Sequence, residues 1–142
     1  MSLKQIVFGS SCEASKASSA ASLVLRLGFG LAMAFAHGMG KLPPPDGFVG
    51  GVRGMGFPLP EFFAWLVAVL ETGGGILVAV GLFARPLAFF LFIHMSIAFF
   101  LAHSGQAFAQ RELAFLFGAA MLAIAWMGTG KYGLDAFFAK KD

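Results

Sequence analysis

FFAWLVAVLETGGGILVAVGLF, running from Phe62 to Phe83, carries one charged side chain, Glu71, near its middle. A continuous apolar helix of ~20 residues crosses a bilayer core ~30 Å thick. The run therefore reads as a membrane span and places the carboxylate deep in hydrocarbon. Insertion scales put a charge at a helix centre at roughly 2.5–3.5 kcal/mol unfavourable. A residue kept at such cost faces a bundle interior, pairs with a cation and is a functional-site candidate. Arg26, inside the first apolar run, is the expected partner.

The rest of the chain has the same character. Of its 142 residues 58% are hydrophobic and 12% charged, where a soluble domain has about 25% charged. Mean hydropathy is +0.83. Four apolar runs stand out, at about 20–40, 60–83, 86–103 and 111–128. They are continuous rather than alternating, which selects helices over a β-barrel. The expected fold is an all-α, four-helix transmembrane bundle, one domain over 1–142, with a polar segment at 1–19 and a long loop at 41–60. The third and fourth runs look short, which implies little tilt or a thinned bilayer. No signal-peptide core adjoins the start, so the first run reads as an uncleaved anchor.

Basic residues set the expected orientation. Lys4, Lys16, Arg85, Lys131, Lys140 and Lys141 fall on the side of the termini, and Lys41, Arg53 and Arg111 on the other. That excess puts the termini in the cytoplasm and the 41–60 loop in the periplasm. Trp65 and Trp126 fall near opposite interfaces. A net charge of +3 spread over such flanks does not suggest nucleic-acid binding. The single cysteine, Cys12, excludes an internal disulfide and dithiol chemistry. No flavin, Fe–S or nicotinamide motif is present.

Small residues recur every four positions at Gly28, Ala32, Ala36 and Gly40, and again at Ala64, Ala68 and Thr72 before Gly73-Gly74-Gly75. Such stripes let helix backbones approach, within one bundle or between copies. The glycine triplet either packs closely or loosens the helix beside Glu71. The 41–60 loop mixes Pro43-Pro44-Pro45 with Phe48, Val52, Met55 and Phe57. It reads as an interfacial lid or as an ordinary loop with apolar residues.

At ~1.5 Å per residue, Arg26, Glu71 and His94 come roughly 10, 16 and 12 Å in from the cytoplasmic end and form an inner layer. His37, Lys41, His103, Arg111 and Glu112 form an outer one. Arg26 and His37, eleven residues apart, share a helix face; His94 and His103, nine apart, fall on opposite faces of an ideal helix. The inner layer has two readings. One is a structural Arg26–Glu71 pair that sets helix register. The other is a proton-handling or ligand-contacting Glu71–His94 pair, with Arg26 holding the carboxylate. The outer layer suits the polar headgroup of a ligand. Weaker alternatives are a bis-His haem site on His37 and His103, or a metal on His37, His103 and Glu112.

Phe35-Ala36-His37-Gly38-Met39-Gly40-Lys41-Leu42 after Arg26, Gly56-Phe57-Pro58, Glu71-Thr72-Gly73-Gly74-Gly75 and Gly81-Leu82-Phe83-Ala84-Arg85 resemble the motifs of the DoxX family. So do Glu112-Leu113-Ala114 and the closing Gly128-Thr129-Gly130-Lys131-Tyr132-Gly133-Leu134-Asp135, where Gly133 replaces the usual Ser. The resemblance covers about 20–138. It implies a four-helix inner-membrane protein, related to the small membrane subunit of an archaeal thiosulfate:quinone oxidoreductase and linked to membrane redox complexes. The expected role is a membrane subunit that docks a redox partner and presents a quinone. The alternative is a scaffold without substrate. A small transporter fits less well, because neither an internal repeat nor a polar pore face is evident.

Overall fold

The computed structural model describes residues 14–139. Lys4, Cys12, Lys140, Lys141 and most of the 1–19 segment lie outside the described residues. Four helices are long and apolar enough to cross a membrane: α1 (Lys16–Lys41), α3 (Pro60–Val80), α4 (Ala84–Ala102) and α5 (Phe108–Met127). Two short helices join them, α2 (Asp46–Gly54) within the long loop and α6 (Leu134–Ala139) after the last span. No strand occurs among the described residues. The third and fourth spans have 19 and 20 residues, so they are full length. The apolar runs understated them because polar and charged residues at their ends, such as Arg85 and Gln110, are helical too.

Local chemistry explains the boundaries. The Ser15 hydroxyl accepts from the Ser18 N–H at 3.1 Å and caps α1. Pro60 occupies the first turn of α3, where its missing N–H costs nothing. Gly81 ends α3 at φ +76°, a left-handed conformation that suits glycine. Phe83 follows in the same region at φ +50°. Its N–H donates to Asp135 Oδ1 at 2.8 Å, and the Ala84 N–H donates to Oδ2 at 3.0 Å. Asp135, from beyond the fourth span, is therefore the N-terminal cap of the third. Burial pushes its carboxyl above the ordinary range, against the pull of these two N–H groups and of Arg26 and Arg85.

The tightest helix contact joins α1 to α3. A Cβ added to Gly30 would come 2.7 Å from the Gly75 carbonyl oxygen, and one added to Gly75 would come 2.7 Å from that of Gly30. Ala34 and Gly38 continue this face, Gly38 against Thr72. The contacting stripe is thus Gly30, Ala34 and Gly38. Of the stripe expected from sequence, Gly28 and Gly40 meet open space and Ala36 is exposed, while Ala32 is partly buried against the core. Both sets have the same four-residue spacing, so spacing could not choose between them. In α3, Ala64 and Ala68 are fully buried, as expected. Leu91 and Met95 of α4 pack with Phe117, Met121 and Ile124 of α5 to form the apolar core.

Arg26 corrects the main expectation. It does not contact Glu71. Its guanidinium, fully buried, donates to the carbonyls of Ala79 (2.8 Å), Val78 (3.4 Å), Tyr132 (3.2 Å) and Thr129 (3.4 Å). Ser22 Oγ donates to the Gly128 carbonyl at 2.6 Å, and the Lys131 N–H donates to Ser19 Oγ at 3.1 Å. These bonds gather the start of α1, the end of α3 and the segment after α5 at one end of the bundle. Arg26 lies level with Ala79, eight residues along α3 from Glu71, roughly 12 Å at 1.5 Å per residue. Gly133 abuts Thr129 so closely that a Cβ there would collide with it.

Replacing Gly30 with Leu is expected to destabilise the protein by at least the ~1–3 kcal/mol typical of overpacking, because the obstacle is backbone. Gly28→Leu is expected to leave the melting temperature in detergent nearly unchanged, and equal losses in the two variants would refute the assigned contact face. Asp135→Ala is expected to cost about 0.5–2 kcal/mol as a lost cap, more than Asp135→Asn, read by the same melts.

Candidate functional site

Glu71 is 1% exposed, as its position in the apolar run requires. Its cation is Lys41, at the far end of α1: Nζ lies 2.7 Å from Oε1 and 2.6 Å from Oε2. His94 Nε2 of α4 lies 2.7 Å from Oε1. Three helices thus converge on one carboxylate, and the pair expected in the inner layer, Glu71 and His94, is in direct contact. Lys41 was placed in the outer layer, but its long stem carries the ammonium inward. Its Nζ also sits 5.1 Å from the centroid of the Phe48 ring on α2, a cation–π distance.

This cluster borders a cavity of about 610 Å³. Met33, Leu70, Met95 and Phe117 supply apolar walls from all four spans. Phe48, Val52, Met55 and Phe57 close it from the loop side. The 41–60 segment is therefore partly helical and lines the site, as its apolar residues hinted. His37 and His103 also line the cavity. His37 stands edge-on to Phe117, with ring centroids 5.1 Å apart, and His103 Nδ1 lies 2.9 Å from Gln106 Oε1.

Three wide, π-type turns surround this level of the bundle, at Met33–Gly38, Leu70–Gly74 and Ala98–Ala102. One contains His37, one contains Glu71, and one immediately precedes His103. Such turns add a residue to the helical repeat and are frequent at functional sites. The third separates His94 from His103 and rotates the helix enough that both face one cavity. Their nine-residue separation had predicted opposite faces because it assumed 100° per residue throughout. Gly73 and Gly74 lie in the second wide turn and Gly75 in the close contact with α1.

Arg26 and Asp135 belong to the junction at the other end. Glu112 is exposed on α5 and does not line the cavity. Arg111 stacks over the Phe99 ring at 4.6 Å. Among the described residues no three His, Cys, Asp or Glu side chains gather as a metal ion would need, so the set of His37, His103 and Glu112 is not assembled. The residues that sequence reasoning missed are mainly apolar, Met33 and Phe117 above all, and nothing in their local pattern separates cavity wall from core.

A family model described as DoxX matches residues 21–104. The chain belongs to the DoxX family. The matched region holds Arg26, His37, Lys41, Glu71, His94 and His103, whereas the closing junction with Asp135 follows it. An uncharacterized protein of Haemophilus influenzae is 34% identical over 117 residues, which covers 77% of this chain and 84% of the relative. The inner membrane protein YqjF of Escherichia coli K12 is 32% identical over 108 residues, covering 73% and 82%. No solved structure matches. This DoxX protein is a multi-pass membrane protein with lipid-facing helices.

Removing one partner of a buried ion pair leaves an uncompensated charge and typically costs about 3–5 kcal/mol. Lys41→Met is therefore expected to destabilise the protein more than the double variant Lys41→Met with Glu71→Gln. Equilibrium unfolding in micelles of the two single variants and the double gives the coupling directly, and additive losses would contradict the contact.

Proposed function

We infer that this DoxX protein is an inner-membrane subunit that holds a quinone-type molecule in the cavity and presents it to a redox partner. The observation that carries this reading is the Lys41–Glu71–His94 cluster at the wall of an otherwise apolar space. About 610 Å³ falls within the roughly 300–1,000 Å³ of small-molecule sites, which are mostly apolar with a few placed polar groups. The charges of Lys41 and Glu71 offset each other, so the cluster favours a neutral, hydrogen-bonding headgroup over an ion. The Lys41 ammonium can donate to a ring carbonyl, and Glu71 with His94 can accept from a ring hydroxyl and pass its proton along the pair. The aromatic walls suit a flat ring. The electrons would pass between the ring and the partner, leaving to it as the hydroxyl proton is taken and arriving from it when protons are returned to the ring oxygens, because the chain carries no redox motif of its own.

The basic-residue bias favours cytoplasmic termini, which puts α2 and the cavity's loop side in the periplasm. The name of the Escherichia coli relative supports the inner membrane as location. The scaffold reading draws support at Arg26, whose bonds run to backbone carbonyls that join the ends of helices. It leaves Glu71 unexplained, since a carboxylate used only for register needs no cavity beside it.

The purified protein is expected to retain quinone through extraction and to bind it with measurable affinity. Glu71→Gln should weaken binding about tenfold or more, since a hydrogen bond to a charged group is worth about 1.5–3 kcal/mol. Equal quinone retention by the two proteins, quantified by mass spectrometry, would reject Glu71 as a contact.

A further inference from the structure

The cavity is lined by α2 on the loop side and by the four spans around its flanks. α3 and α4 touch near their shared turn at Gly81–Phe83 and separate towards the other end, where the first half of α3 hardly meets α4. The slot between them is bordered by Leu66, Leu70, Phe90, Ile93 and Ile97, all of which line the cavity. Leu66 is 48% exposed, Phe90 56% and Ile93 40%. These positions lie within the spans, where the surroundings are hydrocarbon, so their exposure is exposure to lipid. The loop side differs: Val52 of α2 is buried against the cavity and Lys41 beneath it is tied to both Phe48 and Glu71.

We propose that the slot between α3 and α4 is a lateral portal through which a tailed, lipid-dissolved ligand slides in from the bilayer, its ring reaching Glu71 and its tail staying between Leu66 and Ile93. The proposal deepens the quinone reading and rests on it for the headgroup. It names the class of ligand as one that never leaves the membrane. The polar and apolar parts of the site are ordered accordingly: Lys41, Glu71 and His94 lie inward, and only alkyl and aromatic side chains border the slot. A branched or linear hydrocarbon tail crossing that border keeps apolar surroundings along its length. A water-soluble ligand would instead have to pass the loop side, where the exposed cavity residues are Ala102, Gln110 and, one turn further into α5, Leu113.

Two measurements on the full chain in lipid nanodiscs test this. In the first, a single tryptophan at the buried cavity position, Phe117→Trp with Trp65→Phe and Trp126→Phe, is read in nanodiscs with and without brominated acyl chains. Phe90→Trp in the same background is the lipid-exposed reference. Quenching by brominated lipid at Phe117→Trp, comparable to that at Phe90→Trp, is expected. Quenching by aqueous iodide alone, or by neither, overturns the portal. Met33→Trp, at a fully buried position of the same cavity, replaces Phe117→Trp if the latter does not fold. In the second, decylubiquinone and the tail-less ubiquinone-0 are titrated into the wild type and Leu66→Trp, which narrows the slot. The variant is expected to bind decylubiquinone about tenfold more weakly and ubiquinone-0 as before, a difference of about 1.4 kcal/mol for the tailed probe alone. Equal effects on the two probes, or none on either, overturn the portal. Lipid quenching with no binding of either quinone supports the portal and rejects the quinone reading. Binding of both without lipid quenching does the reverse.

Discussion

A carboxylate in the middle of a membrane span has to be answered from within the protein, and the answer organises this bundle. Glu71 meets an ammonium from α1 and an imidazole from α4 within 2.7 Å. To do so, Lys41 must reach inward from the end of its helix, and α1 and α3 must approach until their backbones nearly touch at Gly30 and Gly75. Desolvating such a pair opposes its Coulomb attraction, so its presence adds little net stability. What it does is fix three helices relative to one another around a space that they leave unfilled.

The buried polar groups divide into two sets, one where helices stop and one within the spans. At one end Arg26, Ser19, Ser22 and Asp135 bond almost entirely to backbone, satisfying carbonyls and N–H groups where helices stop. Those groups would otherwise be orphaned in a setting with no water to accept them. Within the spans Lys41, Glu71 and His94 bond to one another and border a cavity. The first set completes the fold; the second has partners that a ligand can also address.

Much of this was readable from the chain. Apolar runs alone gave four helices, because the bilayer demands long uninterrupted segments. Glu71 was marked by its isolation, and His94 was matched to it by depth. The identity of the cation was not legible. Arg26 and Lys41 both lie on α1, and depth counted along α1 from its first apolar residue put Arg26 too near Glu71. The helix ends are not level: Arg26, well inside a helix that starts at Lys16, donates to the carbonyl of Ala79 near the end of α3, so it sits one layer further from the carboxylate. Facial arguments failed wherever a wide turn intervened, as between His94 and His103, because no residue type announces the extra residue in the repeat. The capping role of Asp135 was invisible for another reason: its partners, Phe83 and Ala84, are about fifty positions earlier and are reached only through the folded bundle.

The clasp around Arg26 bears on how the chain is made. Synthesis runs from α1 onward, so this guanidinium enters the bilayer before any of its acceptors exists. The carbonyls of Val78 and Ala79 arrive with the second span, and those of Thr129 and Tyr132 follow only after the fourth has been translated. Until the ribosome reaches those codons, the first helix carries a cation whose insertion is opposed by roughly 2.5–3.5 kcal/mol at full depth. The nascent helix therefore has reason to wait near the translocon or the headgroups, and the last turn of synthesis is what lets the first one settle.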